Sequence, residues 1–503
     1  MNRRSLLIGA GGLALSACAT TPPASSLPLS DELDALVARG MEQLRVVPGF
    51  ALAVYSRDGV YARGFGVTDV TTGERADADT AFYIASATKP LTALALLRKA
   101  ERGEIDLDQA IAAFAPDAPF PAAARAAEVT FRQLLTHTSG IENDPIAFRV
   151  AFSGQHDPAT LWRLLAASGV NSDAPLGRFD YTNTGYNITT LLTDRRFGVA
   201  WQDMLQSEVF GPVGMTHASA RMSRATANGW GMAKPHASLP EGLTKLYLEK
   251  TDATMHSAGG VIMSANDALR WLELMAEGGA VGGRRVVSEA SIESARAPVA
   301  AIAEGTEFAG YSRAAYGLGW YLGPYRDELL FHHFGGFAGA RAHVSHIPTR
   351  RIGVAAFVNE NTAAAQFSDA VANYVYDRTA GRADAAEAFN AKLAALAARR
   401  DQINERLRAD RTSRAARPWT LTRPRAVYAG AYEHPNFGRI EVSAAGEDLD
   451  VGFGALRARA TAANAPDAIR VELVPGSGEL VGFSGPETAP DALHYNGETY
   501  TRV

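Results

Sequence analysis

Residues 82–90 read FYIASATKP and are followed by the apolar run Leu91 to Leu97. Pro90 has no backbone N–H to donate, so it fits only near the start of the helix that the apolar run predicts. Ser86 then lies at the helix N-terminus and Lys89 follows one turn later, on the same face of the helix. The spacing therefore brings an amine within reach of a serine hydroxyl.

This pair suits nucleophilic catalysis. A serine hydroxyl becomes a good nucleophile only when a base removes its proton. A lysine can be that base only if burial or a nearby charge lowers its pKa from about 10.4. A Ser-x-x-Lys tetrapeptide arises by chance in many proteins, so by itself it is weak evidence and other segments must support it.

Two further segments carry polar side chains that suit an active site. Residues 178–186 read RFDYTNTGY, where Tyr181 and Asn183 point the same way if the chain is extended. Residues 331–336 read FHHFGG, and the two glycines let a substrate approach the backbone closely. Taken singly, each segment has a structural alternative: a buried tyrosine beside a turn-forming asparagine, or a core histidine beside a flexible turn.

In this order the three segments resemble the serine hydrolase superfamily of class C β-lactamases and penicillin-recognising DD-peptidases, which includes esterases and D-aminopeptidases. The resemblance covers about residues 45–360, and further matching stretches are LLTHTSG (134–140), SAGG (257–260), YGLGW (316–320) and FVN (357–359). It implies an α+β fold: an antiparallel sheet flanked by helices, with a helical insert domain and the active site between them.

The resemblance also implies roles for the matching residues. Ser86 is expected to be the nucleophile and Lys89 the base that activates it. Tyr181 is expected to carry protons to the leaving group and later from water. Asn183 is expected to hold the substrate amide.

At the third segment the implied roles concern substrate binding. The main-chain N–H groups of Ser86 and Gly336 are expected to form the oxyanion hole, with Gly335 beside it. His333 stands where the β-lactamases of this group carry a lysine, whose permanent charge holds the carboxylate of a β-lactam. Histidine is charged only in part near neutral pH, and the DD-peptidases and D-aminopeptidases have it here.

The expected function is therefore hydrolysis of an amide bond in a small or D-residue-containing peptide, through an acyl-enzyme on Ser86. A carboxylesterase of the same superfamily is the first alternative, followed by a β-lactamase. A penicillin-binding sensor that keeps its acyl group differs only in deacylation rate, which no motif reports. The intact set of Ser86, Lys89 and Tyr181 argues against a structural protein with a degenerate site.

The N-terminus predicts export. Arg3-Arg4 and the apolar run Leu6 to Ala17 precede Cys18, the only cysteine of the chain, and LSAC at 15–18 is typical of a lipobox. We expect Cys18 to carry the lipid that anchors the protein to a membrane of the bacterial cell envelope, in the periplasm. The paired arginines also resemble a twin-arginine signal, which leaves the export route open.

Composition shifts divide the chain into five parts. We expect a signal peptide at 1–17, the lipidated cysteine and a flexible tether at 18–29, and the hydrolase domain at 30–380. A helical connector is expected at 381–418, and a small all-β domain, barrel-like or a sandwich, at 419–503.

The overall charge and the motifs limit the partners. The 503 residues have a formal net charge of -5, which gives no basic face for nucleic acid. No HExxH zinc motif or nucleotide-binding glycine motif is present, and His343 and His346 would lie on opposite faces of a strand. We therefore expect a small-molecule or peptide substrate and no cofactor or metal, with substrate-selecting loops at 141–180 and 221–256.

Overall fold

The computed structural model of the protein describes residues 25–503. The predicted signal peptide at 1–17 and the predicted lipidation at Cys18 lie outside the described residues. From residue 25 onward, no helix combines the length and the apolar character needed to cross a membrane.

An eight-stranded antiparallel sheet forms the centre of the first domain. In chain order its strands are β1 (Gly49–Ser56), β2 (Gly59–Gly66), β3 (Ala300–Ala301), β4 (Ala315–Tyr316), β5 (Tyr321–Tyr325), β6 (Glu328–Phe337), β7 (Ala340–Ile347) and β8 (Ile352–Val358). Across the sheet the order is β3-β4-β5-β6-β7-β8-β1-β2. β1 and β2 form a hairpin, in which Ser56 pairs with Gly59.

In the described part of the chain, residues 25–503, six longer helices accompany the sheets. They are α1 (Ser30–Leu44), α2 (Lys89–Glu101), α3 (Thr184–Phe197), α4 (Ala265–Ala276), α5 (Phe367–Thr379) and α6 (Ala385–Ala415). Shorter α-helices span Ile111–Phe114, Phe131–Leu135, Asp144–Phe148, Pro158–Leu164, Trp201–Leu205, Gly211–Val213, Met222–Ala227 and Glu289–Arg296. Most of the short helices lie between β2 and α4, and together with α2 and α3 they make the helical insert.

The sheet separates two hydrophobic cores because side chains alternate along each strand. On β1, Ala51 and Ala53 face the core that contains α2 and α4. Phe50, Leu52 and Val54 face the opposite core, which is built with α1 and α5. Helices on both faces explain why β7 and β8 are buried along their whole length.

The last part of the chain folds into a nine-stranded antiparallel sheet that is nearly closed into a barrel. Its strands are β9 (Gly430–His434), β10 (Gly438–Ala445), β11 (Asp448–Phe453), β12 (Leu456–Arg459), β13 (Thr461–Ala462), β14 (Ala468–Val474), β15 (Ser477–Ser484), β16 (Ala492–Tyr495) and β17 (Glu498–Arg502). Their order is β12-β11-β10-β9-β17-β16-β15-β14-β13, and β12 lies against β14. Buried tyrosines, phenylalanines and aliphatic side chains fill the interior.

The C-terminal domain docks on the helical insert. Arg149 donates a hydrogen bond of 2.6 Å to the carbonyl oxygen of Asn436. The ring of Phe148 packs against those of Phe437 and Phe453, with centroids 6.1 and 4.8 Å away. These contacts bring the barrel to the edge of the cleft between the sheet and the insert.

Helix α6, in the predicted connector, packs against the first domain. Phe389, Leu393 and Leu396 are buried in the core that α1 and α5 also build. Its polar residues face outward, and its apolar side extends the wall of the first domain.

Candidate active site

Ser86 lies on a 3₁₀ turn, Ala85–Thr88, which leads directly into α2. Ala85 has a φ of 45°, a left-handed conformation that an alanine rarely adopts. Strand β6 presses against this turn: a Cβ on Gly335 would overlap the carbonyl oxygen of Ile84. The nucleophile candidate is therefore held on a strained turn that the sheet supports from one side.

The predicted base is enclosed by oxygen atoms. Lys89 has no exposed surface. Its Nζ atom has four oxygen neighbours: Ser86 Oγ at 3.2 Å, Tyr181 OH at 2.7 Å, Asn183 Oδ1 at 2.8 Å and Ala258 O at 2.9 Å. Three of the predicted side chains thus meet at one amine, although they come from separate parts of the sequence.

The arrangement favours a neutral amine. Burial holds the pKa of Lys89 well below its ordinary value. A neutral amine has two hydrogens, which the amide oxygen of Asn183 and the carbonyl of Ala258 can accept, since neither oxygen can donate. The lone pair is then left to accept a proton from Ser86 or Tyr181. Burial, and next the neighbouring Tyr321, raise the pKa of Tyr181, so its phenol stays protonated.

The segment with Tyr181 is held in place by His137. The backbone N–H of Thr182 donates to His137 Nδ1 at 3.3 Å, and the N–H of Asp180 donates to its carbonyl oxygen at 2.8 Å. The rings of His137 and Tyr181 lie 4.5 Å apart. Burial keeps the pKa of His137 well below its ordinary value, so the ring is neutral and Nδ1 can accept. The LLTHTSG stretch contained this residue, but its contact with Tyr181 depends on tertiary structure.

His333 is also neutral. Its pKa is held well below the ordinary value, first by burial and then by the positive charge of the nearby Arg313. Nδ1 lies 3.0 Å from the carbonyl oxygen of Phe334 and Nε2 lies 3.1 Å from the hydroxyl of Tyr316. The ring therefore donates from Nδ1 and accepts at Nε2. It supplies no positive charge to the cleft.

The two glycines of β6 differ in their surroundings. Gly335 faces the turn of Ser86, where its lack of a side chain is a packing requirement. Gly336 lines the cavity with Ser86. A Cβ on Gly336 would stay 3.4 Å from Asn361 Nδ2, so the fold itself tolerates a small side chain there.

A cavity of about 870 Å³ opens over Ser86. Tyr181, His333 and Gly336 contribute to its floor, and aromatic side chains form much of its walls: Phe152, Phe308, Tyr321, Phe334 and Phe337. Leu396 and Arg399 of α6 and Val474 of the C-terminal domain also line it. The cavity is large enough for a small peptide or an acyl compound.

The predicted substrate-selecting loops are only partly correct. Phe152, from the 141–180 segment, lines the cavity, but no residue of 221–256 does. The hairpin in that segment is instead anchored at the end of β8, where the N–H of His236 donates to the carbonyl of Asn359 at 3.0 Å. Residues 308–313 and 361–366 form the wall in its place, because the sheet edge and the β8–α5 connection face the cleft.

A second group has the geometry of a Ser-His-Asp triad. His343 Nδ1 lies 2.8 Å from Asp369 Oδ1, and its Nε2 lies 2.6 Å from Ser345 Oγ. All three side chains are sealed in the core, so no substrate can reach them. Asp369 also holds Arg341 at 3.0 Å, which makes the group a structural network beneath the cleft.

The geometry offers no metal centre. No cluster of three or more His, Cys, Asp or Glu side chains within residues 25–503 is arranged to hold a metal ion. His343 bonds Asp369, whereas His346 accepts from Arg296 at 3.1 Å. Their different partners agree with their predicted positions on opposite faces of β7.

The family model for beta-lactamase matches residues 33–376. The chain belongs to the beta-lactamase family. Among its relatives in the family, the unguisins hydrolase ungD of Aspergillus violaceofuscus is 24% identical over 476 residues, covering 88% of this chain and 81% of that protein. Penicillin-binding protein 4 of Amycolatopsis lactamdurans is 29% identical over 329 residues, covering 64% and 84%.

Solved structures agree on the fold of this beta-lactamase family member. The octameric penicillin-binding protein homologue from Pyrococcus abyssi has a TM-score of 0.58 at 20% identity, covering 94% of this chain and 99% of that one. The match extends over the C-terminal domain, so the predicted fold class is confirmed for both parts. The protein is a hydrolase of the beta-lactamase fold, similar in sequence to penicillin-binding proteins and, over a quarter of its length, to esterase EstB of Burkholderia gladioli. The D-amino acid amidase from Ochrobactrum anthropi shares the fold, with a TM-score of 0.54 at 21% identity.

Proposed function

We propose that the protein is a serine hydrolase that cleaves an amide bond of a small or D-residue-containing peptide through an acyl-enzyme on Ser86. The observation that carries this proposal is the buried amine of Lys89, which contacts the hydroxyl oxygens of both Ser86 and Tyr181. A neutral amine in this position is a base for the first hydroxyl and a proton partner for the second.

Acylation begins when Ser86 Oγ attacks the substrate carbonyl carbon and its proton passes to Lys89 Nζ. The tetrahedral intermediate carries a negative oxygen, for which the main-chain N–H groups of Ser86 and Gly336 are the proposed donors. When the carbon–nitrogen bond breaks, Tyr181 gives its proton to the leaving amine and regains one from Lys89. The lysine is then neutral again, and the acyl group is an ester of Ser86.

Deacylation uses the same groups in reverse. Water attacks the ester carbonyl and gives a proton to Tyr181 while the phenol passes its own proton to Lys89, which leaves a hydroxyl bonded to the carbonyl carbon. The bond to Ser86 Oγ breaks, and the lysine returns a proton to that oxygen. Asn183 accepts from Lys89 with Oδ1, so its Nδ2 is the group proposed to hold the substrate amide. No step requires a cofactor or metal.

The neutral His333 supports a peptidase or amidase over a β-lactamase. A β-lactamase of this group holds the drug's carboxylate with a permanently charged lysine, whereas burial keeps the imidazole of His333 uncharged. A carboxylesterase remains the second candidate, because an esterase from Burkholderia gladioli is 36% identical over 132 residues. A penicillin-binding sensor would share the whole acylation half of the mechanism.

Mass spectrometry of the intact protein tests the proposal. We expect a covalent adduct with a penicillin or an active ester in the wild type and none in Ser86→Ala. Ser345→Ala is the matched control, since this serine belongs to the buried His343 network, and it should still form the adduct. An adduct that persists in Ser86→Ala would overturn the assignment of the nucleophile.

Turnover separates the candidate activities. We expect Ser86-dependent hydrolysis of D-amino-acid amides and short D-residue peptides, with higher kcat/KM than for short esters. Faster turnover of the esters would support the carboxylesterase, and an acyl adduct without turnover of any of them would support the sensor.

We further propose that the protein is exported and anchored in the cell envelope through a lipid on Cys18. The lipobox at 15–18 supports this, and a lipid chain would place the cleft near the membrane surface. Expression of the full chain with a radiolabelled fatty acid should label the wild type and not Cys18→Ala. A labelled Cys18→Ala variant, or an unlabelled wild type, would contradict the anchor.

A further inference from the structure

Lys250 is a buried lysine that the proposed mechanism does not use. Only 8% of its surface is exposed. Its Nζ atom donates to the carbonyl oxygens of Ala151 at 2.6 Å and Thr254 at 3.4 Å, and within residues 25–503 it forms no ion pair with a carboxylate. Burial lowers the pKa of this amine to about 7. Because an ammonium is costly to hold away from water, other groups must stabilise its charge.

Three aromatic rings surround this amine. Nζ lies 3.6 Å from the ring centre of Phe337, 5.4 Å from that of Tyr83 and 5.8 Å from that of Phe152. An ammonium is attracted to the face of an aromatic ring, and more strongly where water is excluded. A protonated lysine has three hydrogens, two for the carbonyl oxygens and one for the ring of Phe337. A neutral amine keeps the two hydrogen bonds but loses the attraction to the rings.

The amine joins the helical insert to the sheet. Phe152 belongs to the insert, in the turn Arg149–Ser153, whereas Phe337 is the last residue of β6. Their rings lie 5.7 Å apart, and both line the cavity over Ser86. Phe152 also stacks on Phe148 at 5.8 Å, the ring that packs against the C-terminal domain. The charge of Lys250 therefore acts where three parts of the structure meet at one wall of the cleft.

The wall formed by Phe152 and Phe337 lies away from the leaving group. Tyr181 gives its proton to the departing amine in the proposed mechanism. Within residues 25–503, the rings nearest to it are those of His137, Tyr321 and His333, with centroids 4.5, 6.0 and 6.0 Å away. Phe337 instead follows Gly336, the proposed oxyanion donor, along β6. An apolar group that contacts this wall therefore belongs to the acyl part of the substrate.

We propose that Lys250 is a positioning residue for substrate specificity, whose ammonium holds Phe337 and Phe152 together as the apolar wall that contacts the acyl group. The inference rests on the proposed function and deepens it. With the charge present, a large apolar acyl group gains contact with two fixed rings. Without the charge the rings are held less tightly and this preference falls, whereas a small acyl group reacts as before. No sequence motif marks Lys250, because the rings come from distant parts of the chain.

The groups around Lys250 do not change charge in the same pH range. Burial lowers the pKa values of His256 and His156, and it raises that of Tyr83, so all three are neutral near pH 7. Charged side chains on the adjoining segments have other partners: Glu249 pairs with Lys234 at 2.8 Å, Asp252 accepts from the N–H of Ser223 at 2.9 Å, and Arg149 donates to the carbonyl of Asn436. A change of this wall near pH 7 therefore reports Lys250.

Two esters that differ only in the size of the acyl group test the inference. p-Nitrophenyl phenylacetate and p-nitrophenyl acetate have the same leaving group, so the release of nitrophenol reports the acylation of Ser86 by each. Lys89 and Tyr181 act on both esters alike, and their titration cancels in the ratio of the two kcat/KM values. In the wild type we expect the ratio of phenylacetate to acetate to fall roughly three- to tenfold from about pH 5.5 to about pH 8.5, as Lys250 loses its proton.

Two variants separate the charge from the hydrogen bonds. Lys250→Gln keeps N–H donors for the carbonyl oxygens but has no charge, and Lys250→Met keeps only an apolar chain. Both should show the low ratio at every pH, with kcat/KM for the acetate within about twofold of the wild-type value. Lys234→Met is the matched control, because Lys234 lines the same small cavity as Lys250 but pairs with Glu249. It should keep the wild-type ratio and its pH dependence.

A constant ratio in the wild type between these pH values would overturn the inference, and so would a Lys250→Gln variant that keeps the wild-type pH dependence. Thermal melts show whether the variants fold, and if neither does, the wild-type profile decides. The proposed function is tested separately with Ser86→Ala. If this variant releases nitrophenol as fast as the wild type, the proposed function fails; if release requires Ser86 but the ratio is constant, only the role of Lys250 fails.

Discussion

The Nζ atom of Lys89 lies 2.7 Å from the hydroxyl of Tyr181, although 92 positions separate these residues in the chain. Burial lowers the pKa of the amine and raises that of the phenol. Both shifts favour the neutral form of the group, and a proton can pass between the two in either direction. This pair is the centre of the proposed mechanism, and its protonation sets the pH range in which the enzyme works.

The first prediction concerns the pH dependence of activity. Catalysis needs a neutral Lys89, so kcat/KM should rise with pH through the lowered pKa of this amine and reach a plateau well below pH 10. The plateau should extend past neutral pH, because the raised pKa of Tyr181 keeps the phenol protonated. Initial rates at subsaturating substrate give the profile. A rise that occurs only near pH 10 would show an ordinary, solvated lysine.

The second prediction concerns stability. Because its pKa is lowered in the folded protein, Lys89 binds its proton more readily in the unfolded chain. At neutral pH this difference in proton binding favours the unfolded state. The resulting loss of stability becomes smaller as the pH rises towards the ordinary lysine pKa, where the unfolded chain also loses the proton. Lys89→Met should abolish turnover and raise the free energy of unfolding by roughly 1–2 kcal/mol at pH 7.

Denaturant unfolding of both proteins at several pH values measures this effect. The difference in the free energy of unfolding between Lys89→Met and the wild type should become smaller from pH 7 to pH 10, because the unfolded wild-type chain loses the lysine proton over this range. A variant less stable than the wild type at pH 7 would mean that the hydrogen bonds of the amine outweigh its desolvation.

The third prediction concerns His137 as a positioning residue for Tyr181. Its Nδ1 atom accepts from the N–H of Thr182, so His137→Leu should leave that donor unpaired and lower kcat by about 10-fold or more, with a smaller change in KM. His137→Asn keeps an acceptor near the position of Nδ1 and should recover much of the rate. Equal rates in the two variants would deny the positioning role.

The fourth prediction compares two adjacent glycines. A Cβ on Gly335 would overlap the carbonyl oxygen of Ile84, whereas one on Gly336 finds space. Gly335→Ala should therefore lower the free energy of unfolding by about 1–3 kcal/mol and displace the turn that carries Ser86. Gly336→Ala should fold with nearly unchanged stability. Thermal melts of the two variants check this, and equal melting temperatures would show that β6 can move away from the turn.

Local elements of the fold and of the site were predictable. The Asp58-Gly59 pair, which is typical of a tight hairpin turn, lies at the turn between β1 and β2. The position of Pro90 indicated the start of α2. The spacing of Ser86 and Lys89 predicted that their side chains are within reach, and Lys89 Nζ lies 3.2 Å from Ser86 Oγ. Interactions over three or four residues depend on backbone geometry alone, so a sequence pattern is sufficient to predict them.

The walls of the cleft were not predictable in the same way. Arg313, Leu396 and Val474 reach the cavity from three distant parts of the chain, and no local pattern marks them. The segment 221–256, expected to select substrate, packs at the end of β8 instead. Which side chains line a cleft depends on how whole elements dock, and small differences in loop paths change the outcome.

The sequence by itself determined which chemical groups are available: a serine and a lysine one helical turn apart, a tyrosine and an asparagine two residues apart, and a histidine before two glycines. Only the tertiary structure decided their properties. Burial makes Lys89 a base and His333 a neutral ring, and it leaves the Nε atom of Arg313 without a hydrogen-bond partner among residues 25–503. The reason is physical: a pKa or an unpaired charge depends on desolvation and on groups brought together from across the fold, which no local pattern contains.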